Sequence, residues 1–147
     1  MIDSPPAIVI PATAQCIERI SARSGVPELV IFAMIKTEGG WEGLSRKNKN
    51  GTHDYGIMQI NSIWLPAIRK RFGLTPSQVK NDGCSNIAAG VWILRRLWNA
   101  DGTLYQAIGH YHSFNPSIEK TYQLRFLKNM DWVVLYLGKD LMYDQKR

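Results

Sequence analysis

The run Leu29-Val30-Ile31-Phe32-Ala33-Met34-Ile35-Lys36-Thr37-Glu38-Gly39-Gly40 most limits the folds open to this chain. Pro27 suits the first turn of a helix, and apolar residues then fall on nearly every face. Such a helix needs protein on all sides, so it is expected at the centre of the molecule. It ends in a carboxylate followed by two glycines. A helix C-terminus favours cations, so Glu38 gains nothing from its place there. Burial at that point would raise its pKa. A protonated, half-buried Glu at the lip of a groove is what general acid catalysis needs. An ordinary exposed Glu before a glycine C-cap fits the same residues, so the rest of the chain has to discriminate.

The 147 residues, 45% of them hydrophobic, are enough for one domain with a real core. No apolar run approaches the roughly 20 residues of a membrane span. A first helix is expected from about Thr13 to Arg23, with Thr13 as N-cap and Cys16, Ile17 and Ile20 as its apolar stripe. After Gly40 the chain turns polar, and Asn50-Gly51 is a strong turn signal. A small β or irregular insert is expected around residues 41–60. A helix over residues 62–72 should point Ile63, Leu65 and Ile68 inward, and Thr75-Pro76 should start a short helix to about Asn81. Ile87, Val91, Leu94 and Trp98 mark a strong helix from Cys84 to Leu97 or Trp98, and Leu104 to Tyr111 a short one. Asn115-Pro116 should open a C-terminal helix patterned Ile118, Tyr122, Phe126, Leu127 and Met130, running as far as Tyr136. Gly56 suggests a close approach of backbone. No repeat or linker divides the chain. The expected layout is an extended arm over residues 1–12 and one mainly α domain over 13–147, its tail after about residue 130 unassigned.

A net charge of +6 suits an anionic partner. Apart from Arg69-Lys70-Arg71 and Arg95-Arg96 the charges are scattered, and no nucleic-acid-binding signature accompanies them. A solvated basic surface explains most of them. The five Trp and six Tyr either pack or present flat ring faces to sugars. Cys16 and Cys84 are two buried thiols or one disulfide; composition alone leaves both open. His53, His110 and His112 lack partners at ligand spacing, so no metal is expected. Ile8-Val9-Ile10 is too short for the apolar part of a signal peptide, although Ala12-Thr13-Ala14 has the small-x-small form of a cleavage site.

Three further segments sharpen the reading of Glu38. Gly56-Ile57-Met58-Gln59-Ile60-Asn61 resembles the Gly-Leu-Met-Gln-Ile box of the lytic transglycosylases, and Ala107-Ile108-Gly109-His110-Tyr111-His112-Ser113 resembles their Ala-x-x-x-Tyr segment. The helix from Cys84 resembles the one between those boxes. The ordered set, from about Cys16 to Leu127, resembles that family, and most of all its small members associated with conjugation, type IV secretion and pilus assembly. The resemblance implies a lysozyme-like fold of the goose-type or SLT kind and cleavage of peptidoglycan glycan strands without a cofactor. It implies a periplasmic, exported monomer whose signal peptide is absent from or truncated in this chain. Partners in a trans-envelope secretion, conjugation or pilus complex are implied as well. That compartment implies a Cys16–Cys84 disulfide.

By the same resemblance Glu38 protonates the bond between N-acetylmuramic acid and N-acetylglucosamine, then takes the proton of the muramyl C6 hydroxyl as a 1,6-anhydro ring closes. Gly56, Met58, Gln59, Asn61, Tyr111 and Ser113 are the implied substrate-binding residues. Gln59 would bond sugar groups from the cleft floor, Met58 would supply an adaptable apolar contact, and Tyr111 would hold Glu38 or the acetamido group. For Ile57 and Ile60 core packing is expected. Two departures stand out. Gly39 replaces the family's usual Ser. Asp54, just before Tyr55-Gly56, matches the second carboxylate of animal-type lysozymes; facing Glu38 at about 5 Å it would permit retaining hydrolysis. Bracing of the loop by hydrogen bonds is the alternative role for Asp54. A third possibility is a catalytically weak wall-binding module of a secretion complex, suggested by the missing Ser and the basic surface.

Overall fold

The computed structural model describes residues 11–138. The order is α1 (Pro11–Ser24), α2 (Glu28–Glu38), β1 (Ser45–Lys47), β2 (His53–Tyr55), β3 (Ile60–Asn61), a 3-10 turn (Ser62–Trp64), α3 (Leu65–Phe72), α4 (Pro76–Asn81), α5 (Gly83–Asp101), α6 (Leu104–His112) and α7 (Pro116–Val133). A π-helical turn, Val134–Gly138, follows. The architecture is mainly α with a lysozyme-like small sheet, as the sequence implied.

The apolar helix α2 lies at the centre. Val30 through Ile35 are all buried. It packs most extensively on α7, while α5 packs on α1 and α6. Its C-terminus stops at Gly39, which has φ 67° and donates its amide to the Ile35 carbonyl. A residue with a Cβ resists this left-handed conformation. That is a local reason for glycine at this position, where the resemblance led us to expect serine. Gly40 matters differently: a Cβ there would collide with the Gly56 carbonyl, so the start of the insert lies directly against the Gly56 turn.

The insert is a three-stranded antiparallel sheet in the order β1-β2-β3. Arg46 pairs with Asp54, and Asp54 with Asn61. The sheet is fastened to the helices by Asn86 of α5, which is fully buried. Its amide nitrogen donates to the Tyr55 and Val79 carbonyls, both at 2.8 Å, and its oxygen accepts from the Met58 amide at 2.8 Å. A side chain at Gly56 would displace it, which is the close approach expected there.

Cys16 and Cys84 are disulfide-bonded, tying α1 to the start of α5. Closing a loop of 68 residues stabilises the fold by about 4 kcal/mol on the chain-entropy estimate. No helix among the described residues is long and apolar enough to cross a membrane.

Several local expectations need correction. Helix α1 begins at Pro11 rather than Thr13; residues 1–10 of the expected arm lie outside the described residues. Ile63 does not point inward. It is 68% exposed, because residues 62–64 form a 3-10 turn and the α-helical phase starts only at Leu65. Helix α5 runs on to Asp101, where Gly102 caps it with φ 85°. On α7, Ile118 and Leu127 face out, whereas Tyr122, Gln123, Phe126 and Val133 are buried. The α2 contact selects that stripe. Trp132 also packs on the core, and the Lys36 ammonium lies 4.3 Å from its ring centre. The tail therefore packs at least through Val133. Residues 139–147 lie outside the described residues.

Candidate active site

Between the sheet and the helices runs a cleft of about 410 Å³. Glu38, Gln59, Tyr111, His112, Ser113 and Ile118 line it from the helical side, with Asp54, Asn61, Thr52, Asn48 and Asn50 opposite. Trp64, Ile60 and Ile93 supply apolar surface. Ile60 lines the cleft although its side chain is largely core, as Ile57 is.

Glu38 is half-buried at the end of α2. Its Oε1 accepts a hydrogen bond from the Tyr122 hydroxyl at 2.7 Å. Burial pushes its pKa from the ordinary 4.5 to about 8, and the Asp54 carboxylate adds to the rise. The Tyr122 bond and the Arg125 and Arg46 charges pull the other way without reversing it. Desolvation wins because a carboxylate loses more hydration here than one hydroxyl and two cations return. At neutral pH Glu38 is therefore mostly the protonated acid.

Asp54 sits on β2 and lines the same cleft. Its Oδ1 accepts from the Asn61 amide at 3.1 Å across the β2–β3 pair. Asn61 is itself held: its nitrogen also donates to Thr52 Oγ1 at 3.1 Å and its oxygen accepts from the Ile63 amide. Asp54 thus has the bracing contact considered for it, in a place that also faces the cleft.

The family box is divided between cleft and core. Gln59 lines the cleft with φ 50°, a strained value for a residue with a side chain. Its Nε2 donates to the Gly56 carbonyl at 2.9 Å, which holds it in that turn. Gly56 and Met58 are buried away from the cleft. The Met58 side chain, fully buried, packs against Gly90; it is not the adaptable sugar contact expected from the sequence. The backbone of both residues shapes the turn that carries Gln59.

Tyr111 also corrects an expectation. It lines the cleft, but its hydroxyl donates to the Met58 carbonyl at 2.9 Å rather than to Glu38. The tyrosine on Glu38 is Tyr122, which the sequence placed only on a packing stripe. A signal for it existed: a buried Tyr, unlike Phe, needs a partner for its hydroxyl. Ser113 caps the turn after α6 by accepting from the Asn115 amide. His112 stacks on Tyr122 with ring centres 4.4 Å apart and planes within 8°. His110 points elsewhere, between Asp101 at 2.8 Å and Glu119 at 3.3 Å, and His53 stacks on Tyr55.

The chain is similar to several known proteins. The chain is 24% identical over 136 residues to the "Invasion protein IagB" of Salmonella typhi, covering 92% of this chain and 84% of that protein. It is 24% identical over 118 residues to "Protein IpgF" of Shigella sonnei, covering 80% and 77%. A "Peptidoglycan-binding-like protein" of Escherichia coli O157:H7 is 26% identical over 103 residues, covering 69% and 61%. The model described as "Transglycosylase SLT domain" matches residues 15–126. With most of its length matched in this way, the chain belongs to the transglycosylase SLT domain family and is a peptidoglycan lytic transglycosylase.

Proposed function

We propose that Glu38 is the single general acid and base of this enzyme. The observation that carries the reading is a half-buried carboxyl raised to about 8 in the cleft, held at one oxygen by Tyr122. The other oxygen, Oε2, has no hydrogen-bond partner among the described residues and carries the proton. Glu38 gives it to the bridging oxygen between N-acetylmuramic acid and N-acetylglucosamine as the C1–O bond breaks. The muramyl acetamido oxygen covers C1 during that step, as in substrate-assisted glycosidases. Glu38, now a carboxylate, takes the C6 hydroxyl proton as that oxygen closes on C1. The proton lost in the first step is regained in the second, and no water is consumed. The raised pKa helps both steps, since it keeps the acid protonated beforehand and makes its conjugate a better base afterwards. Gln59, Asn61, Tyr111 and Ser113 form the sugar-facing surface of this cleft, and residues 13–147 act as one monomeric catalytic domain.

The test is digestion of purified sacculi followed by mass spectrometry of the product ends. Anhydro ends, one water lighter than hydrolytic ends, are expected. Reducing ends would overturn the reading in favour of a lysozyme-type retaining hydrolase using Glu38 and Asp54. That second reading is favoured by one observation, the Asp54 charge acting on Glu38 from within the same cleft.

The wider role follows as part of the proposal. The enzyme works in the periplasm, where it opens the wall locally for a trans-envelope secretion, conjugation or pilus machine. The Cys16–Cys84 disulfide supports an oxidising compartment. Likeness to a protein named for invasion supports service to such a machine. Loss of machine assembly in a deletion strain, restored by the wild type but not by Glu38→Gln, is the expected genetic result.

A further inference from the structure

The buried residues of α2 are apolar with one exception, Thr37, the residue before Glu38. A threonine does not serve the helix there. It is β-branched, and its hydroxyl bonds back to the Ala33 carbonyl at 2.6 Å, a contact that slightly disfavours helix. The same oxygen accepts from the Asn129 side-chain amide of α7 at 2.9 Å. With a partner on each side the buried hydroxyl is satisfied and its rotamer fixed. The neighbours of Thr37 also meet α7: Lys36 lies over the Trp132 ring, and Glu38 accepts from Tyr122. Three consecutive residues in the last turn of α2 are thus held by three side chains of α7.

We propose that Asn129 is a positioning residue for the reaction: through Thr37 it sets the register of α7 on the end of α2, and so brings the Tyr122 hydroxyl onto the Glu38 carboxyl. Asn129 interrupts the stripe that α7 turns inward, three residues after Phe126 and four before Val133, both buried. Apolar ridges pack in grooves with little directional preference, and aromatic contacts such as that of Lys36 on Trp132 tolerate sliding. A hydrogen bond between two side chains does not, which is how one polar residue in an apolar seam fixes register. Neither Thr37 nor Asn129 lines the cleft, so their bond is kept apart from the sugar-facing surface. Asn129 also lies beyond residues 15–126, where the family's pattern ends.

The inference rests on Glu38 as the proton carrier, and its test is arranged so that the two can fail separately. The Glu38 carboxyl is titrated by NMR of its labelled carbon, with the signal assigned by its loss in Glu38→Gln. This readout reports the Tyr122 contact whatever Glu38 does in catalysis, whereas product ends report on the chemistry. The Tyr122 bond lowers the Glu38 pKa, so a register that weakens the bond moves the titration to higher pH. Asn129→Leu and Thr37→Val remove the pair from either side at nearly constant volume. Both should move the Glu38 titration upward, in the direction of Tyr122→Phe, and should lower kcat about 3- to 10-fold with KM within about twofold of wild type. Thr37→Ser keeps the hydroxyl and should titrate as wild type does. In a Tyr122→Phe background neither Asn129→Leu nor Thr37→Val should add a further shift. An unmoved titration in both single variants overturns the proposal. So does a shift that persists undiminished without the Tyr122 hydroxyl, which would assign Asn129 to local solvation of Glu38 rather than to register.

Discussion

The cleft has two walls, and each presents one carboxyl group. Glu38 stands at the end of a buried helix with a single tyrosine hydroxyl for company, and its pKa is driven to about 8. Asp54 stands on a three-residue strand at the edge of solvent, with the Asn61 amide on its oxygen. The two groups have nearly the same chemistry and the same cavity. What separates them is the supporting element. A helix packed on every side takes its terminal carboxyl out of water, whereas a short sheet leaves its carboxyl within reach of amide donors and water. Environment, rather than residue type, is thus what singles out Glu38 for the role of proton carrier proposed above.

The largest effect that could break this contrast is on activity. Glu38→Gln keeps an acceptor for Tyr122 but cannot carry a proton, so release of soluble products from sacculi should fall by about a thousandfold or more. Asp54→Asn should keep activity within about tenfold of wild type, since no bond is made to Asp54 in the proposed reaction. Equal losses in the two variants would erase the distinction and make the pair a hydrolytic dyad.

Smaller changes sharpen it through the pH profile. The Tyr122 bond lowers the Glu38 pKa, so Tyr122→Phe should move the basic limb of kcat/KM to higher pH. Loss of the fixed carboxyl geometry should also reduce kcat by about 3- to 30-fold. The Asp54 charge raises the Glu38 pKa, so Asp54→Asn should move the same limb to lower pH. Shifts in the same direction for both variants would show that the two walls do not act on Glu38 independently.

Stability offers the subtlest test. The Glu38 pKa is higher in the folded chain than the ordinary 4.5, so the folded state binds more protons between those values. Stability should therefore fall as pH rises from about 4.5 towards about 8 and level off above it. The loss attributable to Glu38 is on the order of a few kcal/mol. Denaturant midpoints for Glu38→Gln should be flatter over that range, and at pH 9 the variant should exceed wild type. An unchanged slope would remove Glu38 from its desolvated state.

Much of the fold was legible because its signals are local. The apolar run of α2, the Asn-Pro and Thr-Pro helix starts and the Asn-Gly turn all act within a few residues. Thr75 and Gln78 complete a reciprocal cap at α4 in just this way. The phase error at Ile63 and the extra turn of α5 arose where a 3-10 segment or a cap shifted the helical period, which a periodic pattern alone does not register. The site was legible in part. Glu38, Asp54, Gln59, Asn61, Tyr111 and Ser113 all reach the cleft, whereas Gly56 and Met58 serve it only through backbone.

Tyr122 was missed for a physical reason. Tyr111 and Tyr122 both lie on apolar stripes, and only the packing of α7 on α2 decides which hydroxyl meets a carboxylate 84 positions away. By itself the sequence determined that a buried helix would end in a carboxyl group before two glycines, and that a small polar insert would follow. Tertiary structure decided that this carboxyl would hold its proton. A pKa depends on everything that replaces water around a group, and the groups that act on Glu38 come from α7, β1 and β2, which only the folded chain brings together.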